Sequence, residues 1–228
     1  MQQTPSQRYG HGINSRRETA NVLQAIRWAA NEVRADVVSM SFGFQDEIPA
    51  VTKAIKEATL HRDDKILFLA AASNSGGNMR EMFPAHLDDV ISVRETNGLG
   101  TFSGTNPPVD PDGPAAFGTL GRDVPSTWLS NVDGVDGEVA KSGSSVATAV
   151  AAGIIAMTLT FVQVGMAHPE ARLPSEINRA WTRRGMLAVL ARMSQNMGNR
   201  AYFISPTGFF SGKDAARAWT AIADACSR

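Results

Sequence analysis

A single cysteine, Cys226, stands among the 228 residues, so no intramolecular disulfide can form and the fold must rest on packing alone. That usage suits a reducing compartment and is compatible with an intracellular location. Net charge is missing as well. Lys+Arg and Asp+Glu stand at 22 each, which leaves no positive field to hold phosphate backbones or anionic lipid. Nucleic acid and membrane surfaces are therefore not expected as partners. The stretch from Met1 to Arg8 has no apolar run, so no secretory signal is visible there. Asp110, Asp112, Asp133 and Asp136 lie in Gly- and Pro-rich stretches without the spacing of a twelve-residue calcium loop. They read as turn residues. No metal and no cofactor is expected.

What is present describes a packed domain. Hydrophobic residues make up 43% and charged residues 19%, far from the composition of disordered chains. The length suits one sizeable α/β domain better than two. Val22, Leu23, Ile26, Ala30 and Val33 recur at helical spacing in residues 18–33, and a valine-rich strand follows at residues 36–41. Pro49 opens a second helix with Val51, Ile55, Ala58 and Leu60 on its apolar face. Residues 65–71 and 90–93 read as further strands. Helix and strand alternate at the pitch of βαβ units, which predicts a parallel sheet with right-handed crossovers.

Residues 96–144 are rich in Gly, Pro and Asp and read as loops around short strands. Residues 146–166 are apolar enough to suggest a membrane span, but Thr148, Thr158, Thr160 and Gln163 interrupt them. A helix buried at the centre of a soluble domain is the expectation. Residues 175–192 and 212–225 read as helical, with a strand-like stretch at 201–204. Trp181, Met186, Leu187, Leu190 and Met193 are expected in the core.

Three segments carry chemistry. Asp36-Val-Val-Ser-Met-Ser-Phe-Gly43 ends a strand, Leu69-Ala-Ala-Ala-Ser-Asn-Ser-Gly76 ends another, and Ser142-Gly-Ser-Ser-Val-Ala-Thr-Ala-Val-Ala-Ala-Gly153 opens the apolar helix. In this order and at these spacings they resemble the subtilase superfamily of serine peptidases, over about residues 18–165. The resemblance implies an α/β, three-layer subtilisin-like fold with a mostly parallel central sheet and helices on both faces, missing its first strands. It implies that Ser145 is the nucleophile and that Asn74 donates to the oxyanion. Ser41, Phe42, Gly43, Ala72 and Ser73 would bind a polypeptide substrate. Ser73 stands where the family has glycine, Ser144 where it has threonine, and Ala149-Val150 where it has Pro-His. On this reading residues 1–228 are one partial catalytic domain, with a poorly structured stretch 1–17, the core at 18–165, and a helical part 166–228 packed on that core.

A serine hydroxyl needs a base, and the base needs an orienting carboxylate. The family order is aspartate, histidine, serine. Before the first strand stands only His11, whose Gly10-His-Gly12 setting resembles the family histidine motif superficially. It is followed by Ile-Asn-Ser-Arg-Arg17, without room for the helix and strand that the family places next, and residues 1–10 hold no carboxylate. His61, His86 and His168 carry no family motif. Two readings stay open: a serine endopeptidase whose acid and base belong to a missing N-terminal part of a longer chain, or a non-catalytic relative that binds peptides by strand addition. A nucleotide-binding α/β fold, suggested only by Asn97-Gly-Leu-Gly100, is a distant third.

Overall fold

The computed structural model describes residues 16–76, 79–128, 137–168, 173–211 and 214–227. Six strands form the main sheet in the order β1-β2-β3-β4-β8-β7. The strands are β1 (Val37–Met40), β2 (Leu67–Ala71), β3 (Val90–Thr96), β4 (Ala116–Leu120), β7 (Ser194–Asn196) and β8 (Ala201–Ile204). The pairs from β1 through β4 to β8 are parallel, and β7 lies antiparallel on β8. A separate hairpin pairs β5 (Val124–Trp128) with β6 (Gly137–Lys141).

Strand β2 shows why the sheet must be covered on both sides. All five of its residues are buried. Leu67 and Leu69 enter one core and Phe68 and Ala70 the other, as the two-residue alternation of a strand requires. The Phe68 side is covered by α1 (Arg16–Arg27), continued by a π-helical turn at Trp28–Glu32, and by α2 (Pro49–His61). Ile26, Ala30, Val51 and Ile55 are the buried face of these helices, and Pro49 at the first turn of α2 gives up no intrahelical bond. The Leu69 side is covered by α3 (Ser144–Ala167), a 3-10 turn at Ser175–Trp181, α4 (Arg183–Met193), α5 (Pro206–Phe210) and α6 (Ala215–Cys226). Helices on both faces of a mostly parallel sheet are the expected three-layer architecture. Each fully buried Leu or Ile contributes about 1.5–3 kcal/mol.

Two expectations change. The predicted helix over 175–192 is a 3-10 turn and an α-helix divided at Thr182, whose hydroxyl accepts the Gly185 N–H and caps α4. Helix α3 is buried along one face only: Ala147, Ala151, Ile155, Leu159 and Val162 pack on the sheet, while Met157 (49% exposed), Val164 (58%) and Met166 (45%) face outward. It is long and apolar enough to cross a membrane by length and composition, yet its buried stripe belongs to the sheet core. Met186, Leu190 and Met193 are core, with Trp181 and Leu187 packed against it. The stretch 166–228 adds strands β7 and β8 to the sheet as well as helices. Asn97-Gly-Leu-Gly100 is a turn, the Asn97 side chain accepting the Leu99 and Thr101 N–H groups.

Candidate active site

Parallel strands bring their C-terminal ends to one side of the sheet, where open α/β folds gather ligands. The last register pair between β1 and β2 is Met40 with Ala70, and beyond it the two strand ends continue as Ser41-Phe-Gly43 and Ala72-Ser-Asn74. The N-terminus of α3 meets both. Ser41 Oγ donates to the Ser145 carbonyl oxygen at 2.9 Å, and Ser145 Oγ donates to the Ser41 carbonyl oxygen at 3.3 Å. Asn74 Oδ1 accepts the Ser144 N–H at 2.7 Å.

Asn74 thus acts as the cap that the helix's own sequence does not supply, since residue 143 is glycine and the N-cap has no side-chain hydrogen bond. Gly143 is required there twice over. Its φ of +139° disfavours any side chain, and a Cβ on it would stand 3.1 Å from Asn74 Nδ2. Below it, Gly121 lets the end of β4 touch the first turn of α3. A Cβ on Gly121 would reach within 2.8 Å of Ala147 Cβ and 2.9 Å of the Gly143 oxygen, and the Gly143 N–H donates to the Gly121 oxygen at 2.8 Å. The helix start is seated on main chain, so its serines have little freedom to shift.

The other residues expected at the site fall around this junction. Phe42 is half-buried and meets Phe44 edge-on at 5.8 Å. Ala72 is fully buried, its N–H donating to Val93 and its carbonyl oxygen accepting from Met82. Ser73 Oγ is folded back to accept the Ser75 N–H. The Ser144 hydroxyl is buried with no hydrogen-bond partner. Chemically, the junction offers the Ser145 hydroxyl and the Ser145 N–H, which has no helical carbonyl to use, beside an Asn74 amide whose oxygen is engaged and whose Nδ2 remains a donor.

No base completes it among the described residues. His61 closes α2 beside Arg34, Asp36 and Lys65, at the N-terminal ends of the strands. His86 is exposed and packs on Phe83, whose ring belongs to the core under α1 and α2. His168 follows α3, about 35 Å along the helix from Ser145 at 1.5 Å per residue. His11 lies outside the described residues, as do Asp133 and Asp136. Asp110 accepts the Asp112 N–H in a local turn, and the described residues contain no group of three or more metal-ligating side chains.

The sequence model of the subtilase family matches residues 9–173, most of the chain. The chain belongs to the subtilase family of serine peptidases. The minor extracellular protease Epr of Bacillus subtilis (strain 168) is 29% identical over 147 residues, 63% of this chain and 20% of that protein. An intracellular serine protease of Paenibacillus polymyxa is 35% identical over 144 residues, 60% of this chain and 39% of that protein. The subtilase chain thus spans about a fifth and two fifths of these curated relatives. Among solved structures, the prenylagaramide maturation protease PagA shares the fold with a TM-score of 0.62 at 19% identity, over 88% of this chain and 67% of that one. The patellamide maturation protease PatA does so at 0.57 and 19%, over 88% and 68%.

The residue that sequence reading missed is Met82. It sits in no motif, and only the folded chain brings it against Gly43 and Ala72.

Proposed function

We propose that this chain is the nucleophile-bearing part of a subtilase endopeptidase, all of residues 1–228 forming one partial catalytic domain whose acid and base lie outside it. The observation that carries the reading is the three-way junction of Ser41, Asn74 and Ser145 at the start of α3. A polypeptide would lie along Ser41-Phe-Gly43 as an added strand, with Ala72 and Ser73 on the facing wall. Ser145 Oγ would attack the scissile carbonyl carbon while an incoming histidine takes its proton. The Oγ–C bond forms as the carbonyl π pair moves onto oxygen; when that pair returns, the C–N bond breaks and the histidine's proton passes to the leaving amine, and water then releases the acyl group by the same two steps. Asn74 Nδ2 and the Ser145 N–H are suited to hold the oxyanion, and losing one such donor costs about a hundred- to a thousandfold in turnover.

A second reading has its own support. With no described base at hand, the Ser145 proton rests on the Ser41 carbonyl oxygen, which suits a groove that binds peptides without cutting them. A fluorophosphonate probe separates the two. The purified chain and its Ser145→Ala variant are both expected to stay unlabelled by mass spectrometry, whereas the chain joined to a segment supplying the acid and base should label at Ser145. Labelling of the isolated chain at Ser145 would show that a base is already assembled.

A further inference from the structure

A cavity of about 500 Å³ opens at the end of the sheet opposite the Ser145 junction. Ile66, which leads into β2, and Ala225 of α6 are buried in its wall, with Ala188 of α4 beside them. Arg183 of α4 also lines it and donates through Nε to the carbonyl oxygen of Val90, the first residue of β3, at 3.1 Å. Strand β3 is seven residues long, and at the rise of a strand that is about 20 Å. The cavity and the junction are therefore separate places.

Arg179, Arg183 and Arg184 line the cavity together with Asp64, Asp88 and Asp89, so neither sign of charge prevails in it. The opposite charges are not paired with one another. Asp88 and Asp89 act on the Arg183 guanidinium across space, with no hydrogen bond or ion pair joining them among the described residues. Burial pulls Arg183 below its ordinary value and the two carboxylates oppose that shift, which keeps the cation charged. With Nε given to the sheet, its two Nη groups remain to donate. The cationic side is also fixed in place by main chain. The Thr182 N–H and hydroxyl both donate to the Arg179 oxygen, at 2.9 and 2.8 Å, and the same hydroxyl accepts the Gly185 N–H. A Cβ on Gly185 would run into the Arg179 carbonyl, so only glycine lets the 3-10 turn and α4 pack this closely. Arg179 Nη1 in turn donates to the Cys226 oxygen at the end of α6.

We propose that this cavity binds a free α-amino acid with an apolar side chain, its carboxylate taken by Arg183 and Arg179 and its ammonium by Asp88 and Asp89. A guanidinium matches a carboxylate with two parallel bonds, and an ammonium brings three protons to carboxylate acceptors. A zwitterion answers both sets of charges at once, whereas a plain anion or cation would leave one set facing a like charge. The apolar side chain would lie on Ile66, Ala188 and Ala225. The volume is in the range of small-molecule sites and is ample for a molecule the size of phenylalanine. Bound there, the ligand would tie α4 and α6 to the ends of β2 and β3 and stabilise the fold by mass action. The inference is independent of what Ser145 does.

The test is isothermal titration of the purified chain with four probes: L-phenylalanine, 3-phenylpropanoate, which lacks the ammonium, 2-phenylethylamine, which lacks the carboxylate, and glycine, which lacks the side chain. L-Phenylalanine should bind with a Kd below about 1 mM and at least about tenfold tighter than each of the other three. Arg183→Gln should weaken L-phenylalanine by about tenfold and leave 2-phenylethylamine within about twofold. Asp88→Asn with Asp89→Asn should weaken L-phenylalanine by about tenfold and leave 3-phenylpropanoate no weaker than before. Circular dichroism checks that each variant is folded, and the aspartate double variant decides alone should Arg183→Gln fail to fold. Equal binding of 3-phenylpropanoate and L-phenylalanine overturns the zwitterion in favour of a simple anion. Unchanged affinity in the folded variants overturns the assignment to this cavity, and no binding of L-phenylalanine at about 10 mM overturns the site outright.

Discussion

The two edges of the main sheet are finished in opposite ways. At one edge β7 offers three polar residues, Ser194, Gln195 and Asn196, laid antiparallel on β8 and turned back through a tight connection. Short, polar and antiparallel is how a sheet stops. At the other edge β1 runs parallel to β2 with Val37 and Val38 only half-buried, and the nearby helix α3 turns Met157 and Val164 to solvent. Parallel strands are normally covered on both faces, and among the described residues nothing pairs with the free side of β1. Ser41 continues β1 directly into the junction with Ser145. Ser145 therefore stands on the open side, and the closed side carries the large helical core.

The strongest way to break this contrast is to close the open edge. Adding a segment that pairs with β1 in parallel and lays a histidine-bearing helix over Met157 and Val164, with an aspartate behind it, should restore peptide hydrolysis dependent on Ser145. The gain expected is about a millionfold in turnover, the scale of what a Ser-His-Asp site loses without its serine or histidine. Restored activity that survives Ser145→Ala would show that the added segment works elsewhere. Stability should divide along the same line. Ile204→Ala on β8, where the side chain is 1% exposed, should cost about 2–5 kcal/mol in urea titrations, while Val164→Ser on the open face of α3 should stay within about 0.5 kcal/mol. Comparable losses at both sites would mean that α3 is already covered.

A finer probe lies in the closed side. Burial pushes the Cys226 thiol up to about 11, the nearby Arg179 offsetting only part of the shift. The raised value favours the neutral thiol in the folded chain. Its contribution to stability is whole below about pH 9 and fades as pH rises toward 11. Iodoacetamide at pH 8 should therefore modify Cys226 many times more slowly in the folded chain than in urea, followed by mass spectrometry. Fast modification of the folded chain would place the opening in the α6 layer and dissolve the contrast between edges.

The parallel core was legible because its signals are local. The valines of β1, the apolar run of β2 and the periodic faces of α1 and α2 each point to their own burial. The junction was legible through resemblance, since nothing in the spacing of Ser41, Asn74 and Ser145 alone says that three chain segments meet. Strands β7 and β8 were half seen, because three polar residues carry no strand period and only pairing with β4 and β8 makes them strands. The outward half of α3 was misread as buried, since composition reports how apolar a helix is and not how many of its sides have neighbours. Met82 was invisible for a similar reason. Its place depends on a loop returning to Gly43, and that return is made by Glu81 and Phe83 through bonds to β3 and Phe44.

The paired hydroxyls of Ser41 and Ser145 have one more consequence. Each holds the other's main chain, and the Ser145 bond, at 3.3 Å, is long for a hydroxyl donor. Such a contact steers the side chain without gripping it. The pair is a two-way latch between the end of β1 and the first turn of α3, so that replacing either serine loosens both segments.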